Sequence, residues 1–200
     1  MEQFLGAACA ILSIGFIWPQ VWRSLRHNTT HGISPFGLIH GLLGSTMWLT
    51  YGVIEGIFPV ALANASFITA QSLIIYVAYR NGHLERQVLT ITYPLVATML
   101  IVLTQLPASP IGLAAIAISG SSIIPQFVHV LRTENLHGIS IASYLLTILN
   151  CSCWLLYGFV ISDLMISAQN FVAVPIFIYV TWRAWRWRIN NSTELETIAN

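Results

Sequence analysis

Trp48 and Asn64, sixteen residues apart, return as Trp154 and Asn170, each displaced by 106 positions. An indole offers a flat apolar surface with a single N–H donor, and a carboxamide offers donors and acceptors in one plane. The four together suit a guest with C–H faces that stack on rings and hydroxyls that both give and take hydrogen bonds. A sugar ring has that chemistry, as do neutral polyols in general. Acid–base, covalent and metal chemistry have no comparable footing. The apolar stretches hold no paired carboxylates, no metal-ligand cluster and no nucleophile beside a base, so neither an enzyme nor a cofactor is expected.

The same offset governs other residues. Pro19-Gln20, His31-Gly32-Ile33-Ser34 and Tyr51-Gly52 recur as Pro125-Gln126, His137-Gly138-Ile139-Ser140 and Tyr157-Gly158. A duplicated apolar unit that repeats polar and aromatic residues in register predicts two half-sites related by a pseudo-twofold axis, as in membrane carriers.

Composition sets the solvent. With 56% hydrophobic and 8% charged residues in 200, and a mean hydropathy of +0.74, polar groups are too few to cover a soluble globule. The net charge of +1 gives nucleic-acid binding no electrostatic basis. Cys9, Cys151 and Cys153 lie in apolar stretches and read as small hydrophobes. The first apolar stretch lacks a basic leader and carries Pro19-Gln20 where a cleavage site would fall, so it reads as a span and not as a signal peptide.

Seven segments have spanning length, at roughly 4–22, 36–54, 59–79, 88–106, 110–131, 141–160 and 164–182. Arg23, Arg26, Arg80, Arg86, Arg132, Arg183, Arg186 and Arg188 are the eight basic residues. All are expected in loops on one side. That side is cytoplasmic by the positive-inside rule, which puts the N-terminus outside and the C-terminus in the cytoplasm. The plasma membrane is the expected location. The segment 88–106 has no counterpart in either repeat and turns the second one over, so that the repeats run parallel. The expected fold is all-α, with seven transmembrane helices arranged 3+1+3. Residues 1–82 form the first triple-helix bundle, 83–109 the inversion linker, 110–188 the second bundle and 189–200 a cytoplasmic tail.

From a rise of about 1.5 Å per residue, Trp48 lies about 9 Å and Asn64 about 7 to 8 Å below the outer edge of the membrane, and Trp154 and Asn170 share a level in the same way. No Asp, Glu, Lys or Arg falls inside a span, which disfavours proton coupling and charged substrates. His40 and His129 are not repeated and read as packed or interfacial. Pro19 and Pro125, each about a turn from the inner end of a span, free a backbone carbonyl that Gln20 or Gln126 could satisfy. A kink repeated in both halves predicts a hinge for an inner gate. Ser34 and Ser140 are placed to cap the second and sixth spans. Tyr51 and Tyr157 are placed either to close the outer mouth or to sit in an interfacial aromatic belt. Gly41, Gly44 and Ser45 suggest close helix contact. The Trp182–Arg188 stretch reads as an interfacial anchor. Asn28-Thr29-Thr30 and Asn191-Ser192-Thr193 match glycosylation sequons that the deduced topology leaves unused.

Trp18-Pro19-Gln20 and Ile124-Pro125-Gln126, each followed by His-Gly-Ile-Ser, resemble the two halves of a PQ-loop protein. The duplicated three-span unit with its linker resembles the SWEET (MtN3/saliva) sugar transporters, and in detail two fused SemiSWEET units. That resemblance implies bidirectional, facilitative transport of mono- or disaccharides by alternating access, with Trp48, Asn64, Trp154 and Asn170 flanking the sugar. It leaves assembly into a homo-oligomer open. Cystinosin-like PQ-loop amino-acid carriers share the Pro-Gln motif but imply an acidic residue within a span. A KDEL-receptor-like peptide receptor shares the seven-span plan but implies a charged cavity.

Overall fold

The computed structural model describes residues 1–30, 33–133, 135–136 and 139–191, apart from the side chain of Gln126. The His-Gly pairs 31–32 and 137–138, and the chain from Ser192 that holds most of the expected tail, lie outside the described residues. Helices α1 (Glu2–His27), α2 (Pro35–Ile54), α3 (Phe58–Arg80), α4 (Arg86–Leu103), α5 (Ala108–Ser121), α6 (Ile123–Arg132), α7 (Ile141–Val160) and α8 (Leu164–Asn190) follow in order. No strand occurs among the described residues.

Six segments are long and apolar enough to cross a membrane: α1, α3, α4, α5 with α6, α7 and α8. The remaining one, α2, has 20 residues, which is enough length, but it is diluted by Gly37, His40, Gly41, Gly44, Ser45, Thr46 and Thr50. Packing explains the difference. α2 lies against α3, α4 and α5, and Gly44, Ser45, Thr46 and Thr50 are buried there. Thr46 and Thr50 donate their hydroxyls to the carbonyls of Leu42 and Thr46, at 2.7 and 2.9 Å. A helix enclosed by protein needs small residues for close approach more than it needs lipid-compatible ones. With α2 the helical segments of spanning length number seven among the described residues.

The arginines were expected in loops and instead lie within helices or at their ends. Arg23 and Arg26 belong to α1, Arg80 to α3, Arg86 to α4, Arg132 to α6, and Arg183, Arg186 and Arg188 to α8. The physical reason is length. The 27 residues of α8 extend about 40 Å at 1.5 Å per residue, beyond a hydrocarbon core of about 30 Å, so the helix carries its charges out of the apolar zone.

The chain divides into two compact units, Met1–Ser122 and Ile123–Asn200. In the first, Ile17 and Val21 of α1, Leu38 and Leu42 of α2, Ile74 and Ile75 of α3 and Val96 of α4 share one buried cluster. The expected linker helix α4 thus packs against α2. In the second, Val130 of α6 and Val180 and Ala184 of α8 pack with Leu136 and Ile139 of the connecting loop, and α7 lies along α8. Phe4, Ile101, Leu164 and Phe171 stand exposed, as befits a surface solvated by lipid tails.

Turns repeat where sequence repeats. Ser34 Oγ accepts the Gly37 N–H at 3.2 Å and Ser140 Oγ accepts the Ser143 N–H at 3.3 Å, capping α2 and α7 as expected. Both exit turns are closed by one long-reaching backbone bond, Ile57 N–H to Gly52 O and Asp163 N–H to Gly158 O, each at 2.8 Å. The turn needs a positive φ, and Gly56 has 69° while Ser162 has 59°. The second unit thus places a side chain where the first has glycine, and it compensates at the next residue, since Asp163 Oδ1 accepts the Ile166 N–H at 3.0 Å and caps α8.

Candidate functional site

Close contacts fix how α2 runs along α3. A Cβ on Gly41 would lie 2.7 Å from Gln71 Nε2, and one on Gly52 would lie 2.8 Å from the Ala61 backbone nitrogen and 3.1 Å from Val60 Cγ1. Seven residues on from Gly41 and seven back from Gln71 stand Trp48 and Asn64, and four further on each helix stand Gly52 and Val60. Antiparallel helices of equal rise keep such pairs level, so Trp48 lies across from Asn64. In the second unit a Cβ on Gly158 would lie 2.5 Å from Ser167 Oγ. Four residues before Gly158 and three after Ser167 stand Trp154 and Asn170, level within one residue.

Each carboxamide is oriented by its own helix. Asn64 Nδ2 donates to Val60 O at 2.9 Å and Asn170 Nδ2 to Ile166 O at 2.8 Å. This bond uses one of two N–H groups and none of the oxygen lone pairs. Each indole meets a tyrosine edge-on: Trp48 and Tyr51 at 5.6 Å between centroids, Trp154 and Tyr157 at 5.8 Å. Both tyrosines are buried, 4% and 5% exposed, so the aromatic-belt reading gives way. They brace the tryptophans from within the bundle. The glycine after each tyrosine provides the close approach, because α2 reaches the start of α3, and α7 that of α8, at a point where a Cβ does not fit.

The two indoles are not held alike. Trp48 is buried and donates Nε1–H to Ser119 Oγ of α5 at 3.1 Å, while Trp154 is half-buried. Sequence reasoning missed Ser119, although its counterpart Ser13 stands 106 positions earlier. Gly44 lies beneath the same contact, since a Cβ there would be 3.3 Å from Ser119 Oγ. His40 is a packed histidine. Its Nε2 lies 2.7 Å from Ile118 O and 3.1 Å from Ser121 Oγ, and its ring stacks on Phe36. A carbonyl only accepts, so Nε2 carries a proton. His129 is exposed, with Nδ1 3.2 Å from Thr133 Oγ1.

The repeated prolines have different local outcomes. α1 continues through Pro19, whereas α5 ends at Ser121 and α6 begins at Ile123, just before Pro125. A proline ring crowds the carbonyl four residues earlier and leaves it without a donor. At the α5–α6 break, serine hydroxyls donate to carbonyls, Ser121 to Ile118 O at 2.7 Å and Ser122 to Ser119 O at 2.6 Å. The corresponding positions before Pro19 are Gly15 and Phe16. Gln20, expected to satisfy the freed carbonyl, is exposed on α1, and the side chain of Gln126 lies outside the described residues. The arginine-bearing ends are tied differently too. Asn81 Nδ2 donates to Asn28 O at 2.7 Å and His83 Nδ1 lies 2.9 Å from Thr30 Oγ1, while Arg188 donates to Ile139 O at 2.8 Å. Among the described residues no group of three or more His, Cys, Asp or Glu could hold a metal ion.

Residues 1–61 match the PQ-loop repeat, and residues 112–183 match the family model described as a sugar efflux transporter for intercellular exchange. The sugar transporter SemiSWEET of Leptospira biflexa is 30% identical over 83 residues, which cover 98% of that protein and 42% of this chain. The chain belongs to the SWEET family. The SemiSWEET of Bradyrhizobium diazoefficiens is 34% identical over 64 residues, 74% of that protein and 32% of this chain. A solved eukaryotic SWEET transporter shares the fold, with a TM-score of 0.74 over 93% of this chain and 98% of that one at 18% identity. As a SWEET-family chain of the PQ-loop superfamily, the molecule is a multi-pass integral membrane protein. Its relatives are transporters and not enzymes.

Proposed function

We propose that this chain is a facilitative, bidirectional uniporter of small neutral sugars, mono- or disaccharides, working by alternating access. The carrying observation is the repeated indole and carboxamide: Trp48 level with Asn64 in one unit and Trp154 level with Asn170 to within one residue in the other, each carboxamide oriented by the same back-bond. In this reading each pair contacts sugar, the indole covering a C–H face and the carboxamide exchanging hydrogen bonds with hydroxyls. Membership of a family whose relatives are named sugar transporters supports that substrate class.

In this reading the 3+1+3 plan holds, with bundles at 1–82 and 110–188, the linker at 83–109 and both repeats parallel. Clustering of arginines at one end of the helices supports an N-terminus outside and a C-terminus in the cytoplasm of a plasma-membrane protein. Pro19-Gln20 and Pro125-Gln126 form the inner hinge, and Tyr51 and Tyr157 move with the outer gate. Uptake of labelled glucose and sucrose into liposomes containing the purified protein tests the reading. Asn64→Ala combined with Asn170→Ala is expected to reduce uptake at least about tenfold, since each lost hydrogen bond costs about 1 kcal/mol. Unaltered uptake by the folded double variant removes the assignment of these residues, and absence of uptake by the parent protein removes the function.

A further inference from the structure

The α2–α3 seam carries one polar group that neither the repeat nor the site above accounts for. Gln71 lies in the middle of α3 and is 9% exposed. Its Oε1 is buried and has no hydrogen-bond partner among the described residues. A buried carbonyl oxygen without a donor is rare in folded proteins and commonly belongs to a functional or conformational device.

Position connects Gln71 to the sugar level. Gln71 follows Asn64 by seven residues and Gly41 precedes Trp48 by seven. A heptad is nearly two full helical turns, so each sits on the same helix face as its partner, about 10 Å nearer the arginine-bearing end. Gly41 makes the room, because a Cβ there would lie 2.7 Å from Gln71 Nε2 and 3.3 Å from Oε1. The second unit has no such level. The residue equivalent to Gln71 is Phe177, which packs edge-on against Tyr144 at 5.9 Å, and the equivalent of Gly41 is Thr147, whose hydroxyl is used by Ser143 O at 2.9 Å.

We propose that Gln71 is a further sugar-contacting residue, specific to the first unit, whose Oε1 accepts a hydrogen bond from a sugar hydroxyl as the sugar moves between the Trp48–Asn64 level and the arginine-bearing end. In the state seen here the seam is closed over the carboxamide and the acceptor is unused. Opening of the seam brings a hydroxyl donor to it. The inference rests on the sugar-transport reading and assigns one further residue to it.

The test compares the parent protein with Gln71→Met and Gly41→Ala in purified proteoliposomes. It measures kcat and KM for glucose uptake, the melting temperature in detergent, and uptake of a series of singly deoxygenated glucoses. Gln71→Met keeps the volume and removes the acceptor. It is expected to melt no lower than the parent, to lose about five- to tenfold in kcat/KM for glucose, and to discriminate less against one deoxy sugar than the parent does, because the lost hydroxyl and the lost acceptor belong to one bond. Gly41→Ala keeps the carboxamide but displaces its end and is expected to lower kcat/KM in the same direction, which gives an independent reading if the methionine variant fails to fold. Parent-like kcat/KM in folded variants overturns the assignment of Gln71 alone. A uniform loss across the whole deoxy series overturns it too, since water and not sugar would then be the donor. A parent protein that moves no sugar overturns both this inference and the transport reading.

Discussion

Trp48 and Ser119 are joined by a 3.1 Å hydrogen bond from the indole nitrogen to the hydroxyl, and that bond ties α2 to α5 at the level of Asn64. The indole's single donor is thereby committed within the protein, so under the proposed transport reading Trp48 would offer a sugar its apolar face and not its N–H. In the same reading Ser119 would act through Trp48 as a positioning residue. Ser119→Ala is expected to raise KM for sugar by about three- to tenfold, from about 1 kcal/mol of lost orientation, with a smaller change in kcat. Steady-state uptake in proteoliposomes reads the split, and Ser119→Thr, which keeps the hydroxyl, is expected to retain more of the affinity.

Gly52 and Gly158 are predicted to tolerate no side chain. At both, the crowding atom includes a backbone nitrogen, of Ala61 and Ser167 respectively, 2.8 Å from where a Cβ would stand, and backbone cannot step aside. Alanine at either is expected to destabilise by about 1–3 kcal/mol, seen as a lower melting temperature in detergent. Gly15→Ala is the control. Nothing lies within 4 Å of its would-be Cβ, and a mid-helix glycine costs about 0.5–1 kcal/mol relative to alanine, so this variant should melt higher.

Ser162 and Asp163 divide between them what Gly56 does alone. Ser162→Gly removes a side chain from a φ of 59° and is expected to stabilise by about 1 kcal/mol. Asp163→Ala deletes the cap on Ile166 and is expected to destabilise by about 1 kcal/mol. Thermal melts of the two single variants and the double check both signs, and the double should fall near the parent.

A proton gradient should leave transport nearly unchanged. The apolar stretches contain no Asp, Glu, Lys or Arg, and His40 is engaged by Ile118 O and Ser121 Oγ. Sugar counterflow is expected to vary less than about twofold between zero gradient and a gradient of one pH unit in either direction. Acceleration in proportion to the gradient would point to proton coupling.

Duplication makes much of this protein legible before any coordinates. An offset of 106 preserves tryptophan, asparagine, proline and the Tyr-Gly pair and so singles out the residues proposed for the two half-sites. The arginines mark one end of α1, α3, α4, α6 and α8, because charge is costly in hydrocarbon and must collect at the ends. The same patterning gave the caps at Ser34 and Ser140, since a hydroxyl before a helix has one short-range task. These features are local or periodic, and a chain that must satisfy its backbone in lipid has little choice about them. Other features belong to tertiary packing. The small and hydroxyl-bearing residues of α2, Gly44, Ser45, Thr46 and Thr50, are buried where α3, α4 and α5 pack against it, and which helices those neighbours are is not written in α2 itself. Identical Pro-Gln pairs lie in an unbroken helix at Pro19 and beside a break at Pro125, because the residues one turn earlier and the contacts of α5 with α2 differ. Tyr51 and Tyr157 could face lipid or protein by sequence alone, and only burial against the adjacent tryptophans decided. Gln71 carries no signature in the sequence, and Ser119 carries only its repetition of Ser13 at the same offset. What distinguishes them is which atom lies across the helix seam, and a seam exists only once two helices have met.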